Sequence, residues 1–510
     1  MVKKYKSLLL ILIIFLIALI PRIYGLDQTE IYPDEITWMV RGKETIYAIK
    51  QLNFKYFETA WWHIQDDTQA ISMPLVLTNG PFLILLGQNQ SAFNLGLFSD
   101  ITAARLPIVI LNSFFIVIFY FFLRKIFSPS LSFFTSILLA LDPIMIGFGR
   151  FVMNDGLLTL FTFTAICGFL FLDKFKSIFI SGISLSLGFL TKPNGLFPLI
   201  SWFIYVFWPF RYQKSLFIKL AASLIISLIF IIILWPEAWH NPLFSIFEYV
   251  FRQTSIIEHQ PLRRFFMGEV TYNPSRYFYL FQIIARLPSL LLIGLVFSPI
   301  FIILKLKRIK KWKQNINLVK FIAITIYFLV FIVIISFVPE KVSVRYILPL
   351  WPWIYVISCW TIFEIANLFK NNFVRFLFIS SFIMYSLFLL IQYYPNYQLF
   401  YNKLIGGPGN VQKYNLVGLC SGTKDALEFI DKNYDLNKPV AIMGCSKVVA
   451  PYYSSRKITT DWQNSNLVII EYAFEQLMPN YEVIKYFDKQ KPVFIVEENG
   501  AILSKVYFKN

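Results

Sequence analysis

Leu216–Trp235 reads LFIKLAASLIISLIFIIILW, twenty residues with one charge, Lys219. A helix of that length rises about 30 Å, the thickness of a bilayer's hydrocarbon core. Comparable runs lie on both sides of it. Before it come Ser7–Tyr24, Ala104–Leu123, Leu131–Phe148, Gly156–Leu172, Ser177–Leu190 and Gly195–Pro209. After it come Gln282–Leu304, Leu318–Val338, Tyr346–Phe369 and Phe376–Tyr394, where the apolar runs stop. The expectation is a mainly α, polytopic membrane protein with about eleven transmembrane helices. The two runs flanking Lys192 are short and also fit a single hairpin of shallow helices. The composition agrees: the chain is 57% hydrophobic and 15% charged, shifted toward the bilayer from soluble averages.

The formal net charge of +18 invites a nucleic-acid reading, which its distribution opposes. Lys3, Lys4 and Lys6 precede the first run; Arg124 and Lys125 follow the second, Lys174 and Lys176 the fourth, Arg211 and Lys214 the sixth. The cluster from Lys305 to Lys313 follows the eighth run, and Lys370 and Arg375 separate the last two. All fall on one side, the cytoplasmic side if Lys and Arg collect there. The N-terminus is then cytoplasmic, and its apolar run reads as a retained anchor. The polypeptide after Tyr394 is extracytoplasmic, and the location is the cell (plasma) membrane.

Two regions follow, 1–394 in the membrane and 395–510 as a small extracytoplasmic α/β domain. The latter has helical spacing over Thr423–Tyr434 and Ala473–Phe487 and β-rich runs at Val440–Met443, Leu467–Ile470 and Val493–Val496. Asn499-Gly500 signals a hairpin. Cys420 and Cys445 lie in a compartment that permits a disulfide, and two separate thiols fit the sequence equally well. Long outer loops cover 27–103 and 236–279. In the first, Pro33 opens a helix with Ile36, Met39, Val40, Ile46 and Tyr47 mainly on one side, as for a helix lying on the membrane. Pro74–Gly87 is apolar and too short to span, so it reads as interfacial or re-entrant.

Ionisable residues at a membrane rim are costly unless paired or used. On the outer side they are Asp34, Glu35, Asp142, Arg150, Asp155, Lys192, Arg286, Lys341 and Arg345. Carboxylates with several cations suit a site that activates a hydroxyl and binds an anion. Plainer readings stand beside this. Asp34 and Glu35 complement a helix dipole; Arg150 and Asp155 form an ion pair; Lys192 snorkels; Arg345 with Tyr346 anchors at the interface. His63, His240 and His259 lack metal-ligand spacing, and no phosphate loop, dinucleotide fingerprint or nucleophile elbow is present.

Several short elements, in order along the chain, resemble the protein O-mannosyltransferase and aminoarabinose-transferase superfamily, membrane glycosyltransferases of GT-C fold. They are Tyr32-Pro33-Asp34-Glu35, Ala104-Arg105-Leu106-Pro107, the Arg150…Asp155 element within Gly149–Asp155, and Leu190-Thr191-Lys192. Further along come Glu258-His259 through Phe266-Met267-Gly268, then Ala285-Arg286-Leu287-Pro288, Arg345-Tyr346-Ile347-Leu348-Pro349, and Tyr401-Asn402 with Gly406-Gly407. Ser72-Met73-Pro74-Leu75 departs from the pattern, lacking the Lys or His that family members usually place before paired prolines. One donor-phosphate contact is then missing or supplied from elsewhere, with Arg286 the candidate.

The resemblance implies transfer of one sugar, mannose-like or related, from a polyprenyl-phosphate carrier to a hydroxyl on a protein, lipid or glycan. It implies Asp34 and Glu35 as catalytic carboxylates, with Asp34 the base. Lys192, Arg286, Arg345 and Arg150 would bind the donor phosphate, with Asp155, His259 and Tyr346 in support. A base opposite the leaving group would invert the anomeric carbon. No cofactor or metal is implied, and a divalent ion is compatible. The rival reading is a lipid or solute transporter or flippase, which usually carries internal repeats and ionisable groups near the midplane. Neither is evident here. A non-catalytic receptor would explain the tail but not the rim charges.

Overall fold

The computed structural model describes residues 2–53, 72–88, 95–208, 213–239, 241–259, 263–307, 316–338, 341 and 343–509. Each apolar run in the sequence is helical. Among the described residues, seven helices are long and apolar enough to cross a membrane, or eight if the bent pair Pro129–Ala140 and Pro143–Arg150 is one span. Val2–Ile23, Lys174–Thr191 and Pro198–Val206 occupy the other three runs, of which the described apolar parts Leu8–Ile23 and Phe175–Thr191 are shorter. Length and composition therefore support an integral membrane protein, with seven or eight of the eleven expected spans reaching membrane length among the described residues.

Prolines mark where single runs divide. The third run bends by 56° at Leu141-Asp142, just before Pro143, as expected where proline disfavours helix at the preceding residue. Asp142, read from sequence as a rim charge, is buried and caps the second half. It accepts from the Met145 N–H (2.7 Å), the Trp351 indole (3.2 Å) and the Tyr355 hydroxyl. The eighth run likewise divides into Phe278–Arg286 and Ser289–Lys307 around Pro288. Between helices the core is aromatic: Phe163 lies 5.6 Å from Phe115, 5.2 Å from Phe119 and 4.9 Å from Trp353. Buried hydroxyls of Thr159 and Thr162 donate to carbonyls four residues back, which satisfies both inside their own helix.

The first-loop helix, Pro33–Lys50, differs from its expected face. Its buried stripe is Glu35, Trp38, Met39, Gly42, Thr45 and Ala48, while Val40 is exposed. The cause is the neighbouring helix Met73–Leu86, which crosses it at paired glycines. A Cβ on Gly80 would lie 2.3 Å from the Gly42 carbonyl oxygen, and one on Gly42 would lie 2.0 Å from Asn79 Oδ1. Close backbone approach, not apolar periodicity, selects the packed face.

An antiparallel hairpin of β1 (Arg264–Phe266) and β2 (Glu269–Thr271) precedes the C-terminal sheet domain at the same end of the bundle. The strands of that domain, β3 (Val440–Met443), β4 (Ile458–Thr459), β5 (Leu467–Glu471), β6 (Phe494–Glu498) and β7 (Ala501–Phe508), lie in the order β4-β3-β5-β7-β6. β3 runs parallel to β4 and β5. β7 is antiparallel to β5 and to β6. The β6–β7 turn has positive φ at both Asn499 and Gly500, the type I′ geometry their sequence favours. Pro479 lies between two short helices, Tyr472–Leu477 and Glu482–Phe487, where one had been expected. Cys420 and Cys445 form a disulfide.

Candidate active site

Pro33 opens the helix that carries both candidate acids, and the Tyr32 N–H donates to Glu35 Oε2 (2.9 Å), closing its first turn. The two adjacent carboxylates then diverge. Glu35 is fully buried. Its Oε1 accepts from Arg105 Nε (2.8 Å) and the Val152 N–H (2.9 Å), and its Oε2 from Arg105 Nη2 (2.6 Å). Arg105 spends its other donors on the carbonyls of Leu26 (2.8 Å), Thr29 (3.1 Å) and Glu30 (2.8 Å). Both oxygens of Glu35, the second expected catalytic carboxylate, are thus hydrogen-bonded to Arg105 and to backbone N–H groups.

Asp34 is open: its side chain is 45% exposed, and Oδ2 accepts from Arg345 Nη1 at 3.0 Å. The Arg345 guanidinium lies 5.6 Å from the ring centres of both Tyr32 and Tyr346. The Tyr346 ring is in turn 4.7 Å from Lys192 Nζ, and Lys192 pairs with Asp155 Oδ1 at 2.5 Å. The contacts Asp34–Arg345–Tyr346–Lys192–Asp155 thus join four distant stretches of chain. Local sequence accounts for the placing. Lys192, before Pro193, is extended (φ −155°, ψ 151°) and ends the helix Lys174–Thr191. Asp155 sits in the first turn of Asn154–Phe171, where an acid complements the dipole. The Arg345 N–H is held by Ser343 Oγ (3.2 Å).

Other candidates are placed differently. Arg150 does not pair with Asp155. It donates to the carbonyls of Pro395 (3.1 Å), Tyr24 (2.9 Å) and Gly25 (2.5 Å), tying the end of its half-helix to two connecting segments. Arg286 donates to the carbonyls of Gln398 (2.7 Å) and Phe400 (2.6 Å) and stacks 3.5 Å over Tyr401. Carbonyls thus take the main donors of both arginines, because each secures the chain leading into the C-terminal domain. Lys341 is buried, donates to Asn273 Oδ1 (3.3 Å) and the Val338 carbonyl (2.9 Å), and is lowered in pKa by that burial. His63 and His240 lie outside the described residues, as does the side chain of His259 at the end of helix Pro242–His259.

A cavity of about 100 Å³ lies between the bundle and the C-terminal domain, with Glu30, Tyr32, Arg264, Arg286, Arg345 and Tyr401 in its walls. It shares Tyr32 and Arg345 with the Asp34 cluster, while Asp34, Lys192 and Asp155 stand outside it. Opposite the arginines, the Glu30 carboxylate accepts from the N–H groups of Gly422 (2.7 Å) and Lys424 (2.8 Å). Burial between the two parts pushes its carboxyl up to about 7 against those hydrogen bonds. Arg105 and Glu30 were not among the site residues expected from sequence. Arg105 had a signal, a lone cation inside an apolar helix; Glu30 had none, since its partners lie 392 and 394 residues away.

The acids and cations described above thus gather at one end of a helical bundle, beside one polar domain. Residues 91–239 match the family model described as dolichyl-phosphate-mannose-protein mannosyltransferase. Among solved structures, the chain is similar to ArnT from Cupriavidus metallidurans in the apo state, with TM-score 0.51 and 12% identity over 99% of this chain and 98% of that one. ArnT from the same organism bound to undecaprenyl phosphate also gives TM-score 0.51 and 12% identity, over 98% and 97%. The archaeal oligosaccharyltransferase AglB from Archaeoglobus fulgidus gives TM-score 0.49 and 12% identity, over 98% and 74%. No curated protein matches the chain. The likeness to ArnT is one of fold over nearly the whole chain, and the family match covers residues 91–239.

Proposed function

We propose that this chain moves a single sugar from a polyprenyl-phosphate carrier to an acceptor hydroxyl at the extracytoplasmic face of the cell membrane. The observation that carries the reading is the Asp34–Arg345 pair, an open carboxylate held against a cation that is itself linked through Tyr346 to Lys192. The family model over 91–239 and the carrier phosphate bound by the ArnT neighbour support a lipid-phosphate donor.

In this mechanism Asp34 takes the acceptor's hydroxyl proton as the oxygen attacks the anomeric carbon. The bond from that carbon to the carrier phosphate breaks, and its electron pair leaves on the phosphate. Arg345 and Lys192 receive the developing charge, in place before the reaction begins. One displacement with the base opposite the leaving group inverts the anomeric centre. Asp155 orients Lys192, and Glu35 with Arg105 holds the loop. Arg286 and Arg150 brace the chain around the site.

The test uses membranes containing the chain and a labelled polyprenyl-phosphate sugar. Label should pass to an acceptor fraction with wild type and stop with Asp34→Asn. Full transfer by Asp34→Asn would remove the base assignment, and label crossing the bilayer still on its carrier would favour a flippase.

A further inference from the structure

The loop bearing Asp34 is fastened to the C-terminal domain by four hydrogen bonds formed before the helix begins. The two Glu30 carboxylate oxygens separately accept the N–H groups of Gly422 and Lys424, which open helix Thr423–Asn433. The Ile31 N–H donates to the Tyr453 hydroxyl (2.5 Å), and Lys424 Nζ donates to the Gln28 carbonyl (3.2 Å). On the membrane side the Glu30 carbonyl accepts from Arg105, and Tyr32 lies beside Arg345. Residues 28–32 are thus gripped from both sides, and Asp34 follows two residues later.

We infer that the C-terminal domain is a working part of the active site, with Glu30 and Tyr453 as positioning residues that set where Asp34 stands relative to Arg345. The inference rests on the transferase reading above and assigns the domain a task beyond covering the site. A carboxylate aligned by backbone donors at a helix start favours one orientation over others. Gly422 is suited to the contact by its positive φ of 90°, and a Cβ there would meet Leu503 Cβ at 2.6 Å. The Cys420–Cys445 disulfide fixes the segment just before it. Misplacement of a reacting group by about 1 Å can cost about 100-fold in rate. Lys192 makes none of these four hydrogen bonds, and Arg345 meets the clamp through Tyr32, so donor binding should be spared.

The experiment is full-length protein in detergent, assayed with a labelled polyprenyl-phosphate sugar. Glu30→Gln and Tyr453→Phe are each expected to lower kcat about 10- to 100-fold, with KM for the donor within about twofold of wild type and melting temperature little changed. Wild-type kcat in both variants would overturn the inference. So would a rise in KM that matches the fall in kcat, or a common collapse of both variants on melting, since either describes general damage. If the wild type itself transfers no sugar, the transferase reading fails first and independently.

Discussion

Asp34 and Glu35 are neighbours in sequence, yet the structure assigns them opposite sensitivities. The Glu35–Arg105 pair is fully buried on both sides at 2.6 Å, so Glu35→Gln leaves a buried guanidinium without its counter-charge. Removing one partner of such a pair costs about 3–5 kcal/mol. The Asp34–Arg345 pair is 45% and 14% exposed, and Asp34→Asn should cost about 0–1 kcal/mol. Activity should sort the other way. Loss of a general base lowers rate about 10²- to 10⁴-fold, so Asp34→Asn should fold and not transfer. Removing both members, Glu35→Leu with Arg105→Leu, should recover part of the lost stability. Recovery stays incomplete because the carbonyls of Leu26, Thr29 and Glu30 lose donors, each worth about 1 kcal/mol. Thermal melting followed by size-exclusion chromatography in detergent, beside sugar transfer, reads both quantities. A stable but inactive Glu35→Gln, or an Asp34→Asn that unfolds as readily as Glu35→Gln, would refute this division of labour.

Three further outcomes follow from the same geometry. Lys192→Gln should lower kcat about 10²-fold or more; adding Asp155→Asn should restore stability but not transfer, and restored transfer would deny Lys192 its role. Gly80→Val should cost about 1–3 kcal/mol and lower activity, because the Gly42 carbonyl that its Cβ meets at 2.3 Å cannot yield without separating the Asp34 helix from its neighbour. Unchanged melting would contradict that contact. Glu30, Glu471 and Glu498 are each pushed by burial from 4.5 up to about 7. The folded chain therefore holds protons that the unfolded chain has released, so their stabilising contribution is complete below about 4.5 and lost as pH rises through about 7. Melting temperature should rise as pH falls from about 7.5 to 5, with a weaker slope in Glu471→Gln; a flat profile would contradict the burial of these acids.

Helices were legible because apolar runs of membrane length say little else. Their breaks were legible only in part. Pro143, Pro288 and Pro479 each mark a division, but a sliding apolar window passes over the first two. The buried face of Pro33–Lys50 was not legible from periodicity, because Gly42 contributes close approach instead of hydrophobicity and Thr45 is buried though polar. Asp34, Lys192 and Arg345 could be gathered on one rim by counting spans, yet spacing could not separate Asp34 from Glu35. That distinction depends on Arg105, whose guanidinium reaches back 70 residues. Arg150 and Arg286 look identical to Arg345 as rim cations. Only the carbonyls of Pro395, Gln398 and Phe400 reveal that they hold the chain entering the C-terminal domain.

The most direct measurement is the fate of the carrier when purified protein meets a labelled polyprenyl-phosphate sugar and an acceptor hydroxyl. One polyprenyl phosphate should be freed for each sugar gained by the acceptor, in wild type and not in Arg345→Ala. Donor recovered intact, with neither carrier released nor acceptor glycosylated, would contradict transfer at the Asp34–Arg345–Lys192 site.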